Sequence, residues 1–155
     1  MVASSLKYVR SVVRIGQWID HEAIDEVILD ADERQCRRIV LTGTNGTRVL
    51  LDEAELTRLY HGDGLVLEDG NIVRVAGRPE PLIEIAAPNA SDLARLAWHI
   101  GNRHTDVQVM AETLRIRRDH VLEEMLRGLG ATLTPLDAPF DPEPGAYSAH
   151  GRNGD

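Results

Sequence analysis

The sequence predicts an α+β fold: a small N-terminal β domain, then a ferredoxin-like βαββαβ domain, then a disordered C-terminal tail. Three observations predict it. Short runs rich in β-branched residues, separated by turn residues, fill positions 7–75. A Gly-Arg-Pro-Glu-Pro stretch at 77–81 then changes the texture. Beyond it, strand-like runs and two helical stripes follow one another in the order of the split βαβ arrangement.

In the first half, Val12–Ile15, Ala23–Leu29, Arg38–Leu41 and Arg48–Leu51 read as strands. Thr44-Asn45-Gly46-Thr47 lies between the last two, and Asn-Gly there predicts a hairpin whose two central residues both take positive φ. Leu65-Val66-Leu67 and Ile72–Val75 flank Glu68-Asp69-Gly70-Asn71 and form a second hairpin. Between the hairpins, 52–60 reads as helix-like, with Leu56, Leu59 and Tyr60 on one side. The expected domains are 1–76, a linker at 77–81, a second domain at 82–138 and a tail at 139–155.

In the second half, Leu82–Ala86 is a strand. Asn89 or Ser91 can cap a helix whose stripe is Leu93, Leu96, Ala97 and Ile100, with Gly101 closing it. Val107–Met110 and Leu114–Arg117 are strands joined by a tight connection. Asp119 caps a second helix, with Leu122, Met125, Leu126 and Leu129 on its buried side and Gly130 ending it. Ala131–Thr134 is the last strand. From Pro139 the Pro-, Gly- and Ser-rich chain has too little apolar surface to order itself.

Composition narrows the function. A formal net charge of -8 opposes non-specific nucleic-acid binding, which needs a basic face. No apolar run approaches a membrane span and the first residues lack a signal-peptide core, so a cytoplasmic location is expected. One cysteine, Cys36, allows neither an internal disulfide nor a multi-Cys zinc site.

The chemistry-bearing residues are histidines. Neutral imidazole suits nickel, copper and zinc. His104 follows the helix stop in Trp98-His99-Ile100-Gly101-Asn102-Arg103-His104, which puts it on a loop. One imidazole makes no specific site, but a two-fold axis beside it brings a second from an identical chain. His99 falls at the margin of the helical stripe, where a packed, hydrogen-bonded histidine is at least as good a reading as a ligand. His120 follows the cap Asp119; it is either an exposed first-turn residue or a peripheral ligand with Asp119 as oxygen partner. His150 lies in the tail and could join a site only by being drawn in. His21 and His61 stand among turn residues and read as surface.

Trp98–His104, then Leu114-Arg115-Ile116-Arg117-Arg118-Asp119-His120-Val121-Leu122, closely resemble the UreE family, the nickel metallochaperones that serve urease. Ala138–Tyr147 resembles that family's end of domain, and the β half matches more loosely through Asp52-Glu53-Ala54-Glu55 and Gly62-Asp63-Gly64. The resemblance implies a homodimer made through the ferredoxin-like domain, with the two His104 residues on one Ni(II). It implies delivery to urease apoprotein through a maturation GTPase. It also implies a protein-contact role for 1–76, which would resemble a chaperone peptide-binding domain. Two positions depart from the pattern. The tail offers one histidine where some relatives carry many, and Arg118 stands where some have a histidine two places before His120's counterpart.

The sequence therefore points to a nickel carrier, not an enzyme, with Zn(II) or Cu(II) able to compete by the Irving–Williams order. Two other readings stand beside it. One is a two-domain protein-binding module with incidental histidines. The other is an acid–base enzyme built on Asp119 and His120, which lacks an accompanying nucleophile or phosphate loop.

Overall fold

The structure, a computed structural model, describes residues 5–145. The chain forms two compact units, one ending at Arg78 and the other spanning Pro79–Gly145. The first is mostly β; the second mixes four strands with two helices.

The first unit contains β1 (Leu6–Val13), β2 (Asp25–Leu29), β3 (Gln35–Thr42), β4 (Arg48–Arg58), β5 (Gly64–Leu67) and β6 (Ile72–Gly77). They join in the order β2-β6-β5-β1-β4-β3. Pairings β1–β4 and β2–β6 are parallel and the rest antiparallel. Strand periodicity makes the core: Val27 and Leu29, Val49 and Leu51, Leu65 and Leu67, and Val73 and Val75 are each two apart and turn to one buried cluster. Each such side chain contributes about 1.5–3 kcal/mol by leaving water.

Both expected hairpins are present. The first differs in its turn: Gly46 takes φ 92, while Asn45 does not adopt positive φ. Gly46 N–H donates to Gly43 O and Gly43 N–H to Thr47 O, so the connection is a tight turn followed by a left-handed glycine. The Asp25 carboxylate accepts the Asn45 and Thr47 N–H groups and holds the loop in that form.

The expected helix at 52–60 is not there; β4 runs to Arg58. Between the pairs Cys36↔Thr57 and Arg38↔Asp52, Arg37 of β3 faces Glu53, Ala54, Glu55 and Leu56 of β4. The strand bulges over these residues, which breaks strict alternation and imitates helical spacing. Pairing with β3 before and after these residues decides the backbone there.

The second unit follows the order β7 (Glu80–Ala86), α1 (Ala90–Asn102), β8 (Gln108–Val109), β9 (Leu114–Arg117), α2 (His120–Gly128) and β10 (Thr132–Ala138). Its sheet runs β10-β7-β9-β8, with every pairing antiparallel. Ile83, Ile85, Leu114 and Ile116 pack against Leu96 and Ile100 of α1 and Leu122 and Leu126 of α2. Asn89 caps α1 by accepting the Asp92 N–H at 2.8 Å, and Asp119 caps α2 by accepting the Leu122 N–H at 3.0 Å.

Three expectations change here. Leu129 is the C-cap of α2 and stays exposed instead of joining the stripe. Glu80 and Pro81 of the expected linker belong to β7, where Pro81 pairs with Asp137. Residues 139–145 are anchored: Phe140 is fully buried, and the Glu143 N–H donates to Val107 O at 2.8 Å. An aromatic ring supplied the apolar area that the surrounding prolines and glycine lack.

Candidate functional site

The loop after α1 is built from both sides. Gly101 does not stop the helix, which continues through Asn102 and is capped by Arg103. His104 comes next and takes φ 57, the one positive φ outside glycine among the described residues. Its N–H donates to Gly101 O at 3.0 Å, and the Thr105 N–H reaches Ile100 O at 3.4 Å. These are the two bonds of the Schellman motif, whose left-handed position usually holds glycine. A side chain there costs about 1–2 kcal/mol and persists only where its neighbours fix the backbone. The imidazole itself is exposed.

The downstream side is held by the sheet. Arg117 of β9 donates to Asp106 at 3.1 Å and to Glu80 at 3.2 Å, and its guanidinium lies 4.9 Å over the Phe140 ring. The Glu143 N–H bonds Val107 O, and the Asp141 N–H bonds Gln108 Oε1 at 3.0 Å. Sequence reading missed this clamp. Its one signal was Phe140, the chain's single phenylalanine, set in a stretch otherwise poor in apolar residues.

The other candidates are held by other contacts. His99 is half-buried on α1, with the exposed Trp98 ring edge-on to it at 5.1 Å. The His120 side chain is 88% exposed, and Glu124 stands 3.9 Å away. Asp119 spends one carboxylate oxygen on the α2 cap. Arg118 turns to Glu123, donating to both of its oxygens at 3.1 Å, while Glu123 also accepts the Asp119 N–H at 2.8 Å. The Arg118 guanidinium, aided by that N–H and opposed by burial, holds the Glu123 carboxyl below the usual carboxylate range. His150 lies outside the described residues. His61 is less of a surface residue than expected: it is half-buried, and its Nδ1 accepts the Gly77 N–H at 2.9 Å. Among the described residues no three His, Cys, Asp or Glu side chains converge on a metal-sized site. Nor is any helix among them long and apolar enough to cross a membrane.

The fold and site define a class: a mixed α+β protein of two units with an exposed imidazole on a braced loop. Comparison with known proteins makes the class specific. The profile of the UreE urease accessory protein N-terminal domain matches residues 11–77, and that of the UreE C-terminal domain matches residues 80–155. A urease accessory protein UreE from Bradyrhizobium sp. strain BTAi1 is 52% identical over 142 residues, covering 90% of this chain and 68% of the relative. One from Bradyrhizobium sp. strain ORS 278 is 54% identical over 133 residues, covering 83% and 63%. One from Ruegeria pomeroyi is 46% identical over 143 residues, covering 92% of each chain. The chain thus spans about two thirds of the length of the two Bradyrhizobium relatives. It belongs to the UreE urease accessory protein family. That family groups it with accessory proteins, not with enzymes, which sets aside the acid–base reading of Asp119 and His120.

Proposed function

We propose that this protein carries Ni(II) in the cytoplasm during maturation of the urease active site. It acts as a homodimer in which the His104 imidazoles of two chains share one ion. The observation that carries this reading is His104 itself, an exposed imidazole held in a left-handed conformation where glycine would be unstrained. Strain retained at an exposed ligand-type residue points to a task for the side chain. One chain offers too few ligands, and a two-fold axis supplies the second while leaving positions open for release.

The second unit serves as the metal-binding and dimerisation domain. Its βαββαβ order with strand order β10-β7-β9-β8 supports a ferredoxin-like assignment. The first unit serves as the protein-contact domain, facing a maturation GTPase and urease apoprotein. His150 is a candidate third ligand. His120 with Asp119 is at most a peripheral one, since Asp119 is committed to its helix cap and Arg118 places a cation beside it. Zn(II) and Cu(II) compete for the same imidazoles.

Equilibrium dialysis tests the reading. About one nickel ion per dimer, lost in His104→Ala with the dimer intact, is the expected result. Unchanged stoichiometry in that variant rejects the shared site, and no uptake by the wild type favours the protein-binding module.

A further inference from the structure

Residues 139–145 do more than end the domain. β10 and β8 are the two edges of the second sheet, and Phe140 meets Arg117 on the strand between β7 and β8. Ile116 faces the helices, so its neighbour Arg117 faces the other way. The segment therefore crosses the sheet on the face opposite the helices, from Ala138 at one edge to Val107 and Gln108 at the other. It ends on the loop that carries His104.

We propose that this strap and Arg117 form a positioning device for His104, resting on the reading of His104 as the nickel ligand. Arg117 ties three elements together: Glu80 of β7, Asp106 of the loop and the Phe140 ring of the strap. The strap adds a main-chain bond to Val107. Upstream, the loop is fixed by the Schellman bonds at the end of α1. His104 thus sits between two fixed points, with Thr105 and Asp106 the short span to the second. Two imidazoles meeting on one ion need their backbones placed in advance, because loop freedom in either chain is lost on binding. Arg117 and Phe140 touch no metal; they act through the loop.

The device is tested in the 155-residue chain with Asp106→Asn, Asp106→Glu and Phe140→Leu. Each substitution acts twice in a dimer that shares one ion. Nickel affinity should fall about threefold to tenfold in Asp106→Asn and about tenfold or more in Phe140→Leu. Asp106→Glu keeps the charge and should recover most of the wild-type affinity. Phe140→Leu changes no charge, so a fall common to both variants identifies positioning, not the loss of a carboxylate near the ion. In metal-free protein, amide exchange at Thr105 and at Glu143, whose N–H donates to Val107 O, should quicken in both, while the melting temperature of Asp106→Asn stays near wild type. Because Asp106 is an exposed loop residue, its variants decide the matter even if Phe140→Leu folds poorly. Wild-type affinity and exchange in Asp106→Asn overturn the inference. A wild-type protein that takes up no nickel overturns the carrier reading beneath it.

Discussion

His104 and Gly130 occupy the same position in two copies of the same helix-ending turn. Gly130 follows the cap Leu129 of α2 as His104 follows the cap Arg103 of α1. Gly130 N–H donates to Arg127 O and Ala131 N–H to Leu126 O, each at 3.0 Å, the same pair of bonds that His104 and Thr105 make. Both residues have positive φ, 92 for Gly130 and 57 for His104. One helix ends on the residue that adopts this conformation freely; the other ends on an imidazole.

The two positions should respond oppositely to substitution. His104→Gly relieves the left-handed strain but loosens the unfolded chain, leaving a net gain of about 0.5–1 kcal/mol in metal-free stability. Gly130→Ala should lose about 1 kcal/mol, and for backbone reasons alone, since a Cβ there meets nothing within 4 Å. Thermal melts of the metal-free variants check both signs. A destabilised His104→Gly would mean that the imidazole contributes to the fold through packing.

Asp25 makes the first unit sensitive to acid. Burial pushes its carboxyl up, but the N–H groups of Asn45, Glu26 and Thr47 and the Thr47 side chain outweigh burial and bring it to about 2 from 3.8. A folded value below the unfolded one gives stability that is complete above pH 3.8 and is lost as pH falls toward 2. Asp25→Ala should remove that acid limb and cost about 2 kcal/mol at neutral pH by leaving the turn's donors without their acceptor. Gly43→Ala should damage the same turn, because its Cβ would stand 2.3 Å from Asp25 Oδ2. Urea unfolding of the three proteins between pH 7 and pH 3 tests this, and parallel pH curves for wild type and Asp25→Ala would refute it.

The sequence exposed whatever local chemistry decides. Asn-Gly and Asp-Gly located two hairpins, and Asp119 and Gly130 bounded α2 correctly. Long-range pairing was hidden: β4 continues through Glu53–Leu56 because β3 pairs with it on both sides of that stretch. His104 was visible as a candidate but its conformation was not, because Gly101 two residues after Trp98's neighbour His99 looked like the stop signal, while the left-handed residue is three positions further on. The strap was hidden for another reason. A single aromatic ring finds its place only once Arg117, Glu80 and Asp106 have been gathered by the sheet.

Glu123 should prove the most sensitive polar residue of the second unit. It is buried, accepts the Asp119 N–H at the start of its own helix, and takes both donors of Arg118. Glu123→Ala removes this reciprocal cap and should cost about 1–2 kcal/mol. Because its carboxyl is held below the ordinary range, the contribution is whole above that range and fades as pH falls through it. Glu123→Gln keeps one acceptor oxygen and should cost less and flatten the acid dependence. Equal losses in the two variants would show that packing, not hydrogen bonding, is what Glu123 supplies.

Nickel should drive association of the chains. A site completed only across a two-fold axis makes the ion a ligand of the dimer, and whatever binds only the associated state favours it by mass action. Sedimentation at dilute concentration should therefore show more dimer with nickel than without. Metal and proton compete for an imidazole lone pair, so acidification should weaken the effect. His104→Ala should abolish the nickel-induced shift, because its methyl group offers the ion no donor. His120→Ala should leave the shift intact, since the exposed His120 side chain is not the ligand read as shared across the axis. A nickel-bound monomer of the wild type would exclude the shared site, and a shift that survives His104→Ala would place the ion on other residues.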